Sequence, residues 1–287
     1  MPEVKAYKCS DTPNAWPEDS ENPGELDPLC FKTPDKYEIT IQEMGICTTE
    51  PITIVDDSLP IDDQDFSGYD LSTCTSTLKS SGVTVEISRG ISKDIGNHGG
   101  ITPAVNSYPY AYIIIKNIFG LKGSHTVYGT TFYSKNDGSA GQGDASLAQE
   151  FTQTLNTFDK EFCTRAHFAG ANLETGLLRA VLVNKDNATE GGTKNTKGEC
   201  STVNGNKVIS NANSIFLSFE PSTPIVISET TKGLEVNFTT TDIGLEVDGG
   251  EKLNGQDCSG NEDPENMGDQ NICKFSPGPP RPSFKPF

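Results

Sequence analysis

The chain has 287 residues, of which only 33% are hydrophobic, with 28 Gly and 18 Pro. This lean, turn-rich composition favours many short strands over a helical bundle. A formal net charge of −18 repels nucleic acid and anionic membranes, which argues against a nucleic-acid-binding role, and no apolar run approaches the ~18 residues of a membrane-crossing helix.

Eight cysteines (Cys9, Cys30, Cys47, Cys74, Cys163, Cys200, Cys258 and Cys273) are spread from end to end, and none makes a C-x-x-C pair. An even, dispersed set predicts a disulfide framework and use outside a reducing cytosol. The opening Met1-Pro2-Glu3-Val4-Lys5 has neither a basic nor an apolar leader region, so no signal peptide is expected. The expected location is therefore a virion or the extracellular space, reached by lysis, by a signal-less route or as a trimmed mature chain.

Residues 1–35 read as an irregular N-terminal arm. Asp11-Thr12-Pro13-Asn14 and Glu21-Asn22-Pro23-Gly24 are turn clusters, Cys9 and Cys30 bracket a loop, and Trp16 within it is the expected anchor. Residues 36–135 read as a first β domain. Tyr37, Ile39 and Ile41 alternate with Glu38, Thr40 and Gln42, the pattern of a strand with one buried face. Short strands are expected at 52–55 and 83–87, the strongest strand at 108–118, and another at 126–133. Cys47 and Cys74 flank an acidic loop. Its Asp56, Asp57, Asp62, Asp63 and Asp65 are weak calcium candidates that lack the spacing of an EF-hand, and a solvated loop is the preferred reading.

Residues 136–250 read as a second β region with one helix. Leu147, Phe151, Leu155, Phe158 and Phe162 recur at spacings of four, four, three and four, which predicts a helix over 146–161, with Ser146 and Gln149 as a capping box. Strands follow at 177–183, 214–219, 224–228 and 234–238, the last two read as a hairpin. A polar excursion over 184–206 is expected to be tied by Cys163 and Cys200. Residues 251–287 form an acidic, then proline-rich tail, whose end over 275–287 reads as extended polyproline II. Nearest-neighbour pairing predicts Cys9–Cys30, Cys47–Cys74, Cys163–Cys200 and Cys258–Cys273, because each pair brackets one loop. The fold class expected is mainly β, with antiparallel sandwich-like sheets, the one helix and irregular terminal extensions.

Sequence signals for catalysis are absent. His98, His125 and His167 are the only histidines; Cys163-x-x-x-His167 resembles half a zinc site without a second half. The run 138–143 lacks the Lys-Ser/Thr of a phosphate loop, and no G-x-S-x-G elbow occurs. The expectation is a non-enzyme with no cofactor and no metal.

One stretch carries a resemblance. Gly45-Ile46-Cys47-Thr48 ends an alternating strand, and Cys74-Thr75-Ser76-Thr77 and Val83–Ile87 follow. Next come Tyr108-Pro109-Tyr110-Ala111-Tyr112-Ile113-Ile114 and Tyr128-Gly129-Thr130-Thr131-Phe132-Tyr133. Over roughly a third of the chain this order resembles virion-associated or extracellular structural proteins of marine bacteriophages and their kin. The resemblance implies a structural or surface-displayed β protein, such as a capsid decoration, fibre or filament subunit, whose expected partners are other copies of itself and other virion or cell-surface proteins. The arm and the tail are expected to contact those copies through Trp16, Phe275, Phe284 and Phe287. A carbohydrate- or surface-binding adhesin module and an extracellular glycan-acting enzyme stay open as alternatives.

Overall fold

The computed structural model describes residues 8–9, 29–56, 58–59, 64–87, 94–96, 98–158, 162–184, 199–203, 205–249, 272–278 and 280–287. Among these, period-2 patterning produces strands throughout. In chain order they begin with β1 (Leu29–Lys32), β2 (Lys36–Cys47), β3 (Ile52–Ile54), β4 (Phe66–Tyr69), β5 (Cys74–Glu86), β6 (Asn106–Tyr108), β7 (Tyr110–Lys116) and β8 (Phe119–Lys122). β9 (Ser124–Val127), β10 (Thr130–Ser134), β11 (Ala140–Gln142) and β12 (Phe151–Gln153) precede a short helix, α1 (Cys163–His167). β13 (Phe168–Leu173), β14 (Gly176–Val183), β15 (Glu199–Val203), β16 (Asn206–Ser210) and β17 (Ser214–Pro221) follow. The chain ends with β18 (Ile225–Ile227), β19 (Leu234–Thr239), β20 (Leu245–Asp248), β21 (Lys274–Pro277) and β22 (Arg281–Pro286).

The centre is an eight-stranded antiparallel sheet in the order β12-β8-β2-β7-β17-β14-β13, with β5 on the other edge of β2. β7 and β8 run in succession along one edge of β2. The β2 register shifts between Ile41 and Glu43, and such a bulge bends and twists a strand, so the sheet curls into a half-barrel. β7 and β17 read as near-continuous apolar runs because they lie in the middle and are buried on both faces.

Each face carries its own core. Ile39, Ile41, Ile113, Ile115, Leu217 and Phe219 belong to one. Tyr112, Ile114, Val181 and Phe216 pack on the other with Ile52, Phe66 and Tyr69 of the β3–β4 hairpin. There the rings of Tyr69 and Phe216 stack at 4.6 Å. Gly45 is required beneath Tyr112: an added Cβ would lie 2.7 Å from that ring and 2.3 Å from the Thr75 carbonyl oxygen. Smaller sheets surround this centre, β1-β20-β21, β11-β10-β9, β15-β16, β18-β6 and β19-β22.

Several expectations need correction. There is no helix over 146–158: residues Ala145–Leu147 form a single 3-10 turn capped by Asp144, and Phe151–Gln153 is a strand. A spacing of four is even, so Leu147, Phe151 and Leu155 satisfy a strand's one-face rule as well as a helix's. The Asn117 side chain then fixes the extended backbone, donating to Leu155 O at 2.7 Å and accepting from Leu155 N at 2.9 Å. The 224–228 and 234–238 runs do not form a hairpin; β18 pairs with β6, and β19 with β22. Strands from both 36–135 and 136–250 contribute to the one central sheet. The tail is neither polyproline II nor directed only outward, because it folds back on its own chain as β21 and β22.

Candidate assembly site at the C-terminal strand

Phe275 is fully buried, its β21 pairing Val247↔Phe275 places it in the core, and its amide donates to Gly138 O at 2.9 Å. It therefore serves this chain's own core and is not an outward contact. Gly278 closes that anchored part. Its carbonyl accepts from the buried Tyr37 hydroxyl at 2.8 Å and its amide donates to Gly244 O at 3.0 Å. An added Cβ there would fall 1.8 Å from Ile243 O, so only glycine fits.

Beyond Gly278 the attachment is of a different kind. β22 pairs in the described structure with β19 alone, in the register Leu234↔Pro286 to Thr239↔Arg281. Pro282 is buried and Phe284 and Pro286 half-buried, while Arg281 and Lys285 are exposed. Phe284 stacks on Phe219 of the central sheet at 5.8 Å. Phe287 is 63% exposed, its ring lying against Gly233, and its amide donates to Gly233 O at 3.1 Å. Residues of one parity point their N–H groups to one edge of a strand. Because Phe287 faces β19, so do Arg281, Ser283 and Lys285, and Pro282 and Pro286 fall on the free edge. There they remove two of the donors that another strand would use.

The Cys9–Cys30, Cys47–Cys74 and Cys163–Cys200 disulfides form as expected. Cys273 is disulfide-bonded too; the fourth expected pair involves Cys258, which lies outside the described residues, as does Trp16. Of the acidic loop, Asp57, Asp62 and Asp63 also lie outside them. Asp56 accepts from the Ser58 amide and hydroxyl at 3.0 and 2.6 Å, which holds its carboxyl below the usual range, and Asp65 accepts from the Phe66 amide. His167 is buried at the end of α1 beside disulfide-bonded Cys163.

A second polar cluster escaped the sequence reading. On the face covered by the β3–β4 hairpin, Glu50 accepts from Ser218 Oγ at 2.6 Å and Arg179 Nη1 at 2.7 Å, with Glu220 3.8 Å from Arg179. Burial pushes the Glu50 carboxyl up, against the pull of the Ser218 hydroxyl and the Arg179 guanidinium. No local motif marks these residues, which come from three separate elements. For β22 the signal lies in the alternation of Pro282, Phe284 and Pro286 with Arg281, Ser283 and Lys285.

No helix among the described residues is long and apolar enough to cross a membrane, and the disulfides fit an oxidising, extracellular-type environment. No protein-family model, curated protein or solved structure matches this chain.

Proposed function

We propose that this chain is a non-catalytic structural subunit of a virion surface or an extracellular filament, joined to its neighbours by exchange of β22. The observation that carries the reading is that the last strand of the chain pairs with β19 alone among the described residues and seats Phe284 on Phe219, just past a firmly anchored glycine. A terminal strand attached in this way reproduces all its contacts in a neighbour's β19 groove, which is the low-cost route to self-association. Successive head-to-tail exchange builds an open chain of copies. Growth by simple addition to the free edge of β22 is disfavoured by Pro282 and Pro286, which leaves exchange as the favoured use of this element. Prolines also lower the ordering cost of the strand in transit. The resemblance to phage virion proteins and the disulfide framework support the same reading.

Truncation tests it. Removal of 281–287 takes away β22 and leaves the buried Phe275 in place. The truncated chain should stay folded by circular dichroism and run as a monomer by light scattering, under conditions where the full chain forms multimers visible by electron microscopy. Normal assembly of the truncated chain, or a full chain that stays monomeric at all concentrations, would overturn the proposal.

A further inference from the structure

We propose that Asn237 is an N-glycosylation acceptor on the outer face of the β19–β22 ribbon. Asn237-Phe238-Thr239 is the acceptor pattern, with a residue other than proline in the middle. It lies wholly within β19, and successive residues of a strand point to opposite faces. Asn237 and Thr239 therefore share one face with Glu235. Val236 and Phe238 share the other, where both pack against the core. The carboxamide and the hydroxyl that an acceptor must present together thus stand on the same side of an extended backbone.

That side is open. Asn237 and Thr239 are both exposed, and neither side chain has a hydrogen-bond or ionic partner among the described residues. Asn117 is the contrast: its carboxamide is buried and spent on Leu155 and Ala212, with no room for a sugar. Every residue of β19 and β22 on the outer face is polar or charged, so a glycan there displaces no packed apolar side chain. Ser283, a small residue, lies directly across the ladder from Asn237. The exposed Arg281 and Lys285 stand diagonal to it and are donors for sugar hydroxyls.

The order of the chain leaves time for the modification. β19 pairs with β22 alone among the described residues, and β22 comes well behind it in the chain. As the chain is delivered from its N-terminal side, the acceptor passes a transferase before the strand that pairs with it has arrived. The Asn237 carboxamide nitrogen attacks the anomeric carbon of a glycan carried on a lipid diphosphate. The bond from that carbon to the diphosphate oxygen breaks, the nitrogen gives up one proton, and the lipid diphosphate leaves. The disulfides fit compartments of the oxidising kind in which such transfer takes place, and the modification requires an outward route through one of them. The glycan stands clear of the buried face and of the edge that holds β22, so the site is independent of strand exchange.

The test delivers the full chain behind a secretion leader, in one arm into microsomes and in the other through the secretory route of a eukaryotic host. Wild type should migrate as a glycoprotein whose shift is lost on treatment with peptide-N-glycosidase, which leaves Asp at position 237 in the mass of the released peptide. Asn237→Gln and Thr239→Ala should each abolish that glycopeptide, and Thr239→Ser should retain it. All three variants should stay folded by circular dichroism, because both positions are exposed. A second acceptor pattern, Asn187-Ala188-Thr189, lies outside the described residues; Asn187→Gln should leave the Asn237 glycopeptide unchanged, so the two are read separately. The microsome arm needs no export, so a variant that folds poorly is still scored. An unmodified Asn237 peptide in both arms, or a glycopeptide that survives Thr239→Ala, would overturn the site.

Discussion

Replacing Phe284 by Ala isolates the contact that seats the terminal strand. A fully buried Phe→Ala change costs about 3–5 kcal/mol; Phe284 is half-buried and stacked on Phe219, so about 2 kcal/mol is the working figure. At 1.4 kcal/mol per factor of ten this raises local opening of β22 about thirtyfold. The effect should be confined, because β22 pairs only with β19 among the described residues. Amide hydrogen exchange reads it residue by residue. The amides of Lys232, Gly233 and Phe287, which bond across the end of this ladder, should exchange about thirtyfold faster. Those of Phe216 and Leu217, in the middle of the central sheet, should not change. Equal acceleration at both places would show that Phe284 belongs to the global core and that the strand is not separately detachable. No acceleration at either would show that the ring does not seat it.

Three further outcomes follow from the geometry. Glu50→Gln should raise the urea midpoint at pH 7, because a carboxyl whose folded pKa is raised by burial loses stability as pH rises through that pKa. The difference should vanish as pH falls below it; a less stable Glu50→Gln at pH 7 would mean that the Arg179 pairing outweighs burial. Gly45→Ala, which would place a Cβ 2.3 Å from Thr75 O, should cost about 1–3 kcal/mol by equilibrium denaturation, and a neutral result would refute the packing of Tyr112 over Gly45. Replacing Cys47 and Cys74 together by Ala opens a loop with a sequence separation of 27 and should cost about 3–4 kcal/mol on the chain-entropy account; a loss below about 1 kcal/mol would contradict a bridge acting on the unfolded chain.

The strands were legible wherever one face of alternating residues is buried, as in Tyr37, Ile39 and Ile41, and in the uninterrupted apolar runs of β7 and β17. Three disulfides were legible because each closes a single local excursion. The helix over 146–161 was misread because four-residue spacings satisfy both periods; only the Leu155-to-Phe158 step distinguishes them. β-branched Thr152, Thr154 and Thr157 and the distant Asn117 side chain, which sits in β7's exit, decided for extended backbone. The tail's prolines argue against a central strand and for polyproline II. At the edge of a two-stranded sheet the same prolines are tolerated, with their missing donors turned outward. The Glu50, Arg179 and Ser218 cluster had no sequence signature, because tertiary folding alone brings its residues together.

Exchange of β22 is tested most directly by a cross-link across its ladder. Asn237 and Ser283 are register partners in β19 and β22, so Asn237→Cys with Ser283→Cys provides a bridge that forms wherever the two strands pair. Light and heavy-nitrogen copies are mixed before assembly, the assemblies are oxidised, and the cross-linked 237–283 peptides are weighed. Hybrid light–heavy peptides, with covalent multimers on non-reducing gels, are the result expected of exchanged strands. Assemblies whose 237–283 bridges all join positions of one chain would contradict the account.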